Sequence, residues 1–347
     1  MRSAIRWAIS RAEKRKADGW KQRYWNMNYN NNKCGRIVYF NGSFVPEDQA
    51  RLSIYDSAIA TGEKVVEVSR TFAHKLYGLE THLERLFSNL QLLRINPGLS
   101  KREMEGATYE TLQRNLATQA KSVDWQILHY ISRGPAAHFG IVPDDELYPT
   151  VVIQCIPLVN RLGKMAKRYT EGADLVVVDQ RLIPSDVIPA QLKSNGRMDH
   201  IIGRLQANEL KPSSIGVLLG QDGYVAEGTG SSLFIVRDGK IQTAPSSRVL
   251  DGVTSRMIFS IANDMEIPIE EADFTPEEAG RAEEMFITST VICQVHARSF
   301  NNQFIHVGSI GSLSQLVRKA FSEKVGLDFA QQAVDYGEFL RENGPLV

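Results

Sequence analysis

Residues 227–256 read EGTGSSLFIVRDGKIQTAPSSRVLDGVTSR. Glu227 stands among glycines between two short apolar stretches, so its carboxylate is expected to be partly buried. A buried carboxylate needs a charged or hydrogen-bonded partner. Further along, Gly252-Val253-Thr254 opens a predicted helix, whose free N–H groups either hold a phosphate or form an ordinary turn and N-cap. The stretch therefore predicts a buried acid close to a possible anion site.

Short predicted strands surround this stretch. Asp222-Gly223 and Asp238-Gly239 separate neighbouring strands in the manner of antiparallel hairpins. Met198, Ile201, Ile202 and Leu205 recur at helical spacing and predict the buried face of a helix. The predicted strands are 175–178, 215–219, 224–226, 233–236 and 240–243, and further helices are predicted near 254–265 and 310–325.

The chain before residue 158 predicts a smaller unit. Asn41-Gly42 favours a hairpin turn within residues 37–45. Thr81-His-Leu-Glu84 and Ser100-Lys-Arg-Glu103 are typical of capping boxes, each opening a helix. Other extended stretches are predicted at 65–79, with a turn near His74-Lys75, at 126–132 and at 150–156.

These patterns predict an α+β protein of two domains. Its parts are a basic, Asn-rich and disordered leader (1–35), a small N-terminal α/β domain (36–157), a basic interdomain connection (158–170), a larger domain of antiparallel strands and flanking helices (171–330) and a C-terminal tail (331–347).

The composition is that of a soluble globular protein. Of 347 residues, 43% are hydrophobic and 23% charged, and no apolar run reaches the roughly 20 residues that a membrane-spanning helix needs. Three cysteines without CxxC spacing argue against a disulfide framework and a metal site, and favour the reducing cytoplasm. The sequence has no GxGxxG after a predicted strand and no GxxxxGK[ST], HExxH or GxSxG motif. Rossmann, P-loop, zincin and serine-hydrolase functions therefore lose their main support.

Charge is unevenly distributed. Residues 1–36 hold ten Lys or Arg and two acidic residues, which leaves thirty basic and thirty-eight acidic residues in the remainder. An acidic body gives no reason to expect a nucleic-acid partner. The basic segment reads as a disordered leader, or as an upstream start with the native start near Met27. Its alternative is a short amphipathic helix that contacts a membrane or a partner.

Four blocks together resemble the class IV, fold-type IV pyridoxal-phosphate enzymes. This family includes branched-chain aminotransferases, D-amino acid aminotransferases and aminodeoxychorismate lyases. The blocks, in the family's order, are 56–86, which ends in HLERL, 191–195 (QLKSN), 227–256 and 285–295 (MFITSTVICQV). The resemblance implies a two-domain fold-type IV enzyme with pyridoxal 5′-phosphate bound by the larger domain, and a homodimer with active sites near the subunit boundary.

The resemblance implies roles for three charged residues. Lys193 would form a Schiff base with the cofactor aldehyde and later act as the catalytic base; its alternative is a surface lysine. Glu227 would keep the pyridine nitrogen protonated, and its alternative is a loop acid. Arg85 would bind the cofactor phosphate rather than pair with Glu80 or Glu84 across the helix surface.

The remaining cofactor contacts are also implied by resemblance. Backbone groups of Val253 and Thr254, with the hydroxyls of Thr254, Ser289 and Thr290, would complete the phosphate cup. Leu250 would pack against the ring face, a role compatible with being plain core.

Substrate contacts are less well defined by the resemblance. His138 lies in a loop after Arg133-Gly134, a region that in relatives reaches the substrate carboxylate, and its alternative is a surface loop histidine. Thr61 and Val66 stand where relatives often carry aromatic residues, and Met198 stands where branched-chain enzymes have Tyr. Ser232 replaces the family's Asn. Arg197 resembles the lyase lysine segment, and a solvated, outward side chain is expected for it at a helix start.

These implications favour an aminotransferase that moves an amino group from an amino acid or amine to a 2-oxo acid by a ping-pong mechanism. The alternatives are an aminodeoxychorismate lyase that releases pyruvate, and a catalytically silent homologue that binds the cofactor.

Overall fold

The structure is a computed structural model that describes residues 35–120, 122–137, 140, 143, 147–194 and 196–346. Within these ranges the chain forms a six-stranded sheet, a nine-stranded sheet and helices that pack on both. The α+β class is confirmed. The predicted leader lies outside the described residues apart from Gly35.

The first sheet is antiparallel throughout. Its strands pair in the order β2-β1-β6-β5-β3-β4. Asn41 and Gly42 both have positive φ, which confirms the predicted hairpin turn. In chain order the elements are β1 (Ile37–Phe40), β2 (Ser43–Pro46), α1 (Ser57–Ala60), β3 (Lys64–Phe72), β4 (Lys75–Leu76), α2 (Leu79–Leu92), α3 (Lys101–Leu116), β5 (Trp125–Ser132) and β6 (Thr150–Pro157).

Helix α2 covers this sheet with a leucine face. Leu83, Leu86 and Leu90 recur at helical spacing on one side of the helix and are buried against the strands. The capping box at Ser100 is confirmed, because Ser100 and Glu103 bond each other reciprocally. The one predicted at Thr81 is wrong. The helix begins one turn earlier, after Gly78 in the left-handed region, and this start buries Leu79.

The second sheet is mixed. Its strands pair in the order β12-β11-β10-β13-β14-β7-β8-β9, with β15 beside β14. The elements are α4 (Val159–Gly163), α5 (Ala166–Glu171), β7 (Ala173–Arg181), α6 (Met198–Leu210), β8 (Ile215–Leu219), β9 (Val225–Gly228), β10 (Ser232–Arg237), β11 (Lys240–Thr243), α7 (Val253–Asp264), β12 (Ile269–Glu271), α8 (Pro276–Gly280), β13 (Glu284–Ser289), β14 (Cys293–Phe300), β15 (Gln303–Phe304), α9 (Ser312–Val325) and α10 (Phe329–Asn343).

The prediction of antiparallel strands in this unit is only partly right. The hairpins β8–β9 and β10–β11 are antiparallel, whereas β7–β8, β11–β12 and β14–β7 are parallel. Parallel neighbours need a crossover, and helix α6 supplies it between β7 and β8 while α7 supplies it between β11 and β12. Turn dipeptides reveal hairpins, but they give no sign of such crossovers.

Helix α6 faces the opposite way to its prediction. Met198, Ile202 and Leu205 are exposed, and the buried face carries Gly203 and Ala207 instead. A Cβ on Gly203 would lie 2.9 Å from Leu218 Cδ2 on the sheet. Small residues therefore let the helix backbone approach the sheet closely, and an apolar face is left exposed in the single chain.

Residues 158–170 and 331–346 are packed structure. The first segment forms α4 and α5, with Leu162 and Tyr169 in the main core, and the second continues α10. The predicted C-terminal tail is therefore wrong as a description of local structure. Helix α10 is ordered because Phe329, Ala333 and Tyr336 are buried against that core.

None of the helices in the described ranges is long and apolar enough to cross a membrane.

We predict that Tyr336→Phe lowers the stability of the protein. The Tyr336 hydroxyl donates to Ser122 O and accepts from Asp124 N, each at 2.9 Å, so its removal leaves the buried N–H of Asp124 and the carbonyl of Ser122 without this partner. Such a loss costs about 1–3 kcal/mol. Thermal unfolding followed by circular dichroism measures it, with Tyr109→Phe, at an exposed tyrosine, as the control. Equal melting temperatures for both variants would contradict the packing described for α10.

Candidate active site

The predicted catalytic and cofactor-binding residues meet in one cleft between the two sheets. Val68 of β3 contributes to its wall from the first unit, and β9, the β13 end and the start of α7 contribute from the second. All eight predicted residues line it, namely Arg85, Lys193, Glu227, Leu250, Val253, Thr254, Ser289 and Thr290. The four sequence blocks, which lie far apart along the chain, therefore form one site.

Lys193 is fixed by backbone bonds to the first unit. Its N–H donates to Asn89 Oδ1 at 2.5 Å, and its carbonyl accepts from Val66 N at 3.0 Å. Burial lowers the pKa of the Lys193 ammonium to about 8; the charge of Glu67 opposes this shift, and that of Arg85 adds to it. Near neutral pH a larger fraction of its amine is therefore neutral, and so nucleophilic, than in an ordinary lysine.

Glu227 lies on β9 with two basic groups against one carboxylate oxygen. Arg197 Nη2 is 2.5 Å from Glu227 Oε1, and His200 Nε2 is 3.5 Å from the same atom. Burial would raise the pKa of Glu227, but the charge of Arg197 and the contact with His200 bring it down to about 2. The carboxylate is therefore ionised at any physiological pH.

The outward, solvated position expected for Arg197 is wrong. Its side chain is only 25% exposed and points to Glu227. The reason is the carboxylate itself, because a buried Glu227 without a partner would be costly.

Arg85 is held by a buried acid that the sequence did not single out. Its Nε and Nη2 donate to the two oxygens of Glu67 at 2.9 and 2.8 Å, and its Nη1 donates to Asp251 O at 3.0 Å. His82 Nδ1 lies 2.9 Å from Glu67 Oε1. Burial would raise the pKa of Glu67, but Arg85 and His82 lower it well below its usual range. The alternative considered for Arg85, a surface pair with Glu80 or Glu84, is not what the structure shows, because its partner is Glu67.

The start of α7 lies beside Arg85 and supplies free backbone donors. The first N–H groups of an α-helix have no partner within the helix, and no side chain caps this one at Gly252. Ser255 Oγ donates to Ser232 Oγ at 2.9 Å. A Cβ on Gly252 would lie 3.0 Å from Ser255 Oγ and 3.4 Å from Ser232 Oγ, so glycine keeps this corner open.

Two buried hydroxyls in the cleft wall have no hydrogen-bond partner within the described part of the chain. They are Ser231 Oγ and Thr288 Oγ1. Because buried polar atoms are nearly always satisfied, these two hydroxyls are available to bond a polar ligand or water in the cleft. Among the described residues, no group of three or more His, Cys, Asp or Glu could hold a metal ion.

The predicted substrate residues have different outcomes. Arg197 lines the cleft, whereas Thr61 is exposed outside it and Val66 reaches it only through its backbone bond to Lys193. Met198 is exposed on α6. His138 lies outside the described residues.

Sequence reasoning missed Glu67 and Arg161. Glu67 stands alone in the apolar run VVEV, and a charged residue in a buried-type strand is a signal that could have found it. Arg161 lies in the basic segment 158–170, where nothing in the sequence separates it from its neighbours.

Comparison with known proteins places this site in a family. The family model described as "Amino-transferase class IV" matches residues 64–300, which hold all eight cleft residues named above. The chain belongs to the class IV aminotransferases. Enzymes of this class use pyridoxal 5′-phosphate.

Individual relatives agree with this family. A Methanocaldococcus jannaschii protein assigned to the branched-chain aminotransferases is 28% identical over 82% of this chain and 95% of its own. The D-alanine aminotransferase of Staphylococcus epidermidis is 24% identical over 83% of this chain and 97% of its own. Among solved structures, the branched-chain amino acid aminotransferase of Escherichia coli matches with a TM-score of 0.77 and 24% identity over 83% of this chain and 94% of that one.

The cleft of this class IV aminotransferase fits a phosphorylated aldehyde cofactor. Arg85 has five N–H donors and uses three on Glu67 and Asp251, so donors remain for a phosphate near the α7 start. The two unpartnered hydroxyls supply further donors. Lys193 and Glu227 supply an amine and an ionised carboxylate in the same cleft.

We predict that Glu67→Gln destabilises the protein, because breaking a buried ion pair costs about 3–5 kcal/mol. The folded pKa of Glu67 lies below its ordinary 4.5, so the stability it contributes is present above pH 4.5 and is lost as the pH falls below it. The melting temperatures of wild type and variant should therefore differ at pH 7 and converge in acid.

Glu84→Gln is the matched control for this prediction. Glu84 is more than half exposed and pairs with Lys101 at 3.4 Å, so its loss should change stability by less than about 0.5 kcal/mol. If the Glu67→Gln variant is as stable as the Glu84→Gln variant at pH 7, the contacts of Glu67 with Arg85 and His82 do not stabilise the protein.

Proposed function

We propose that the chain exchanges an amino group between an amino acid or amine and a 2-oxo acid by a ping-pong mechanism, with the cofactor linked to Lys193 as a Schiff base. The observation that carries this proposal is the position of Lys193. Its pKa is lowered to about 8, and it shares one cleft with an ionised acid and an anion-binding helix start.

Lys193 serves in two roles. As a neutral amine, its Nζ would hold the cofactor aldehyde covalently with loss of water, and after a substrate amine takes that place the freed Nζ would accept the proton from the substrate Cα. When bound, pyridoxal 5′-phosphate supplies an electron sink for the pair left on that carbon. The backbone bonds of Lys193 to Asn89 and Val66 keep the amine in place during displacement.

Glu227 accepts a hydrogen bond from the protonated ring nitrogen. This role needs an ionised carboxylate, and the contacts with Arg197 and His200 keep it so. Arg85, the α7 start and the hydroxyls of Thr254, Ser289 and Thr290 bind the phosphate, and Leu250 packs against the ring. Each of these roles is carried by a side chain already facing the cleft.

We also propose a homodimer. Met198, Ile202 and Leu205 form an exposed apolar face on α6, and monomers rarely leave such faces in water. Sedimentation equilibrium is expected to give twice the chain mass, and a monomeric mass at micromolar concentration would refute the dimer. Cytoplasmic location is proposed because Cys155 and Cys293 form no disulfide within the part of the chain that the structure describes, which suits a reducing compartment; fractionation of the native cells tests it.

A lyase that releases pyruvate from aminodeoxychorismate is a second candidate. The inward position of Arg197 is the observation that favours it, since the lyase hypothesis requires that side chain to face the site. Arg197 nevertheless contacts Glu227, the acid on the ring side, which both reactions use. The aminotransferase is therefore the better-supported function.

We predict that the loaded protein converts its cofactor to the pyridoxamine form in single-turnover reactions. A panel of L-amino acids, D-amino acids and amines, followed by absorbance, identifies the donor, and a 2-oxo acid should then restore the starting spectrum. Lys193→Ala is the control, and it should remove the conversion because the proton-moving amine is gone.

Two results would contradict the proposal. Pyruvate release from aminodeoxychorismate without conversion by any donor would establish the lyase. Cofactor binding without either reaction would establish a silent homologue.

A further inference from the structure

Four basic side chains line the described part of the cleft, and three of them already have a task. Arg85 is paired with Glu67, Arg197 is paired with Glu227, and Lys193 is the amine that carries the cofactor in the proposed function. Arg161 is the fourth. Within the described residues it has no carboxylate within ion-pair distance, so its charge is not matched by the protein there.

A neutral side chain holds Arg161 in position. Its Nη1 donates to Gln126 Oε1 at 2.7 Å, and Gln126 is itself buried on β5. An amide orients a guanidinium without cancelling its charge, whereas a carboxylate would do both. The contact therefore presents a fixed positive charge to the cleft.

The backbone beneath Arg161 is equally fixed. It lies on α4, whose Val159 and Leu162 are buried in the main core. Arg161 is exposed in the single chain, and the packing around its guanidinium lowers its pKa. A guanidinium that is held in place at an open cleft and has no described carboxylate partner is available to bind an anion.

The cofactor phosphate is not the best match for this cation. Arg85 bonds the carbonyl of Asp251, one residue before the uncapped start of α7, and so belongs to the phosphate cup. Arg161 comes from another element, its side chain is bonded to Gln126 rather than to the cup, and it shares the cleft wall with Val68 and Val291. The other anionic group that an aminotransferase must bind is the carboxylate of its amino acid or 2-oxo acid.

We propose that Arg161, oriented by Gln126, is a binding residue for a substrate carboxylate. A guanidinium binds a carboxylate through two parallel hydrogen bonds, which fixes orientation as well as charge. The assignment rests on the proposed function, since it presumes that the substrates are amino and 2-oxo acids. The carboxylate is either the one on the reacting carbon or a second one at the far end of a dicarboxylic substrate.

The first test measures equilibrium binding of 4-methylvaleric acid, an unreactive monocarboxylate, and of glutaric acid, an unreactive dicarboxylate, to the cofactor-loaded protein by calorimetry. Arg161→Gln should weaken binding of one or both about 10- to 100-fold, and Arg161→Lys should weaken it less. Arg168→Gln, which removes a neighbouring guanidinium outside the cleft, is the matched control and should bind as wild type does. Unchanged affinity for both acids in Arg161→Gln would overturn the proposal.

A second variant tests the charge argument without removing the arginine. Gln126→Glu gives Arg161 an internal carboxylate partner, so it should weaken binding of the same acids as Arg161→Gln does. Wild-type affinity in Gln126→Glu would contradict the role given to the neutral amide. Cofactor absorbance, recorded for every variant, shows whether the cleft is still formed.

Comparison of the acids identifies the carboxylate. Weaker binding of both acids places Arg161 at the carboxylate beside the reacting carbon, and weaker binding of glutaric acid alone places it at the distal carboxylate. The two proposals fail in different ways. If the proposed function is wrong, the wild-type protein gives no conversion of the cofactor with any donor, whatever acid binding the Arg161 variants show.

Discussion

The pairing of two buried carboxylates with two guanidinium groups holds the cleft together. Arg85 Nη2 lies 2.8 Å from Glu67 Oε1, and Arg197 Nη2 lies 2.5 Å from Glu227 Oε1. Both acid side chains are almost fully buried. Either acid alone would cost several kcal/mol to bury, so each arginine is needed for the fold as well as for the site. Arg85 also bonds Asp251 O, so the Glu67 pair on the first sheet is tied to the start of α7 on the second.

These pairs leave the cleft with more positive than negative charge. Lys193 and Arg161 remain after each acid has been matched, and burial lowers the pKa of both. For Lys193 the lowered pKa increases the neutral fraction of the amine near physiological pH, and the neutral form is the nucleophile. Arg161 keeps its charge and has no carboxylate partner among the described residues, which leaves it available to an anionic ligand. The excess of basic over acidic groups in the cleft thus relates the reactive lysine, the phosphate-binding residues and the proposed carboxylate site to one another.

The sequence predicted what is local or encoded in motifs, and it failed where tertiary packing decides. The eight catalytic and cofactor residues follow from four short blocks, and all eight line the cleft. Helix α6 was inverted because apolar spacing favoured Met198, Ile202 and Leu205 as its inner face, whereas the sheet accepts only the small Gly203 and Ala207 there. Arg161 could not be singled out, since only the fold shows that Gln126 orients it and that no described acid neutralises it.

The most direct measurement is the site and pH dependence of covalent cofactor attachment. The cofactor-free protein is mixed with pyridoxal 5′-phosphate at a series of pH values, reduced with borohydride and mapped by peptide mass spectrometry. The account predicts a pyridoxyl group on Lys193, formed at a rate that rises with pH through about 8 as the ammonium loses its proton and then levels off. A label on another lysine, or a rate at Lys193 that is still rising well above that pKa, would contradict it.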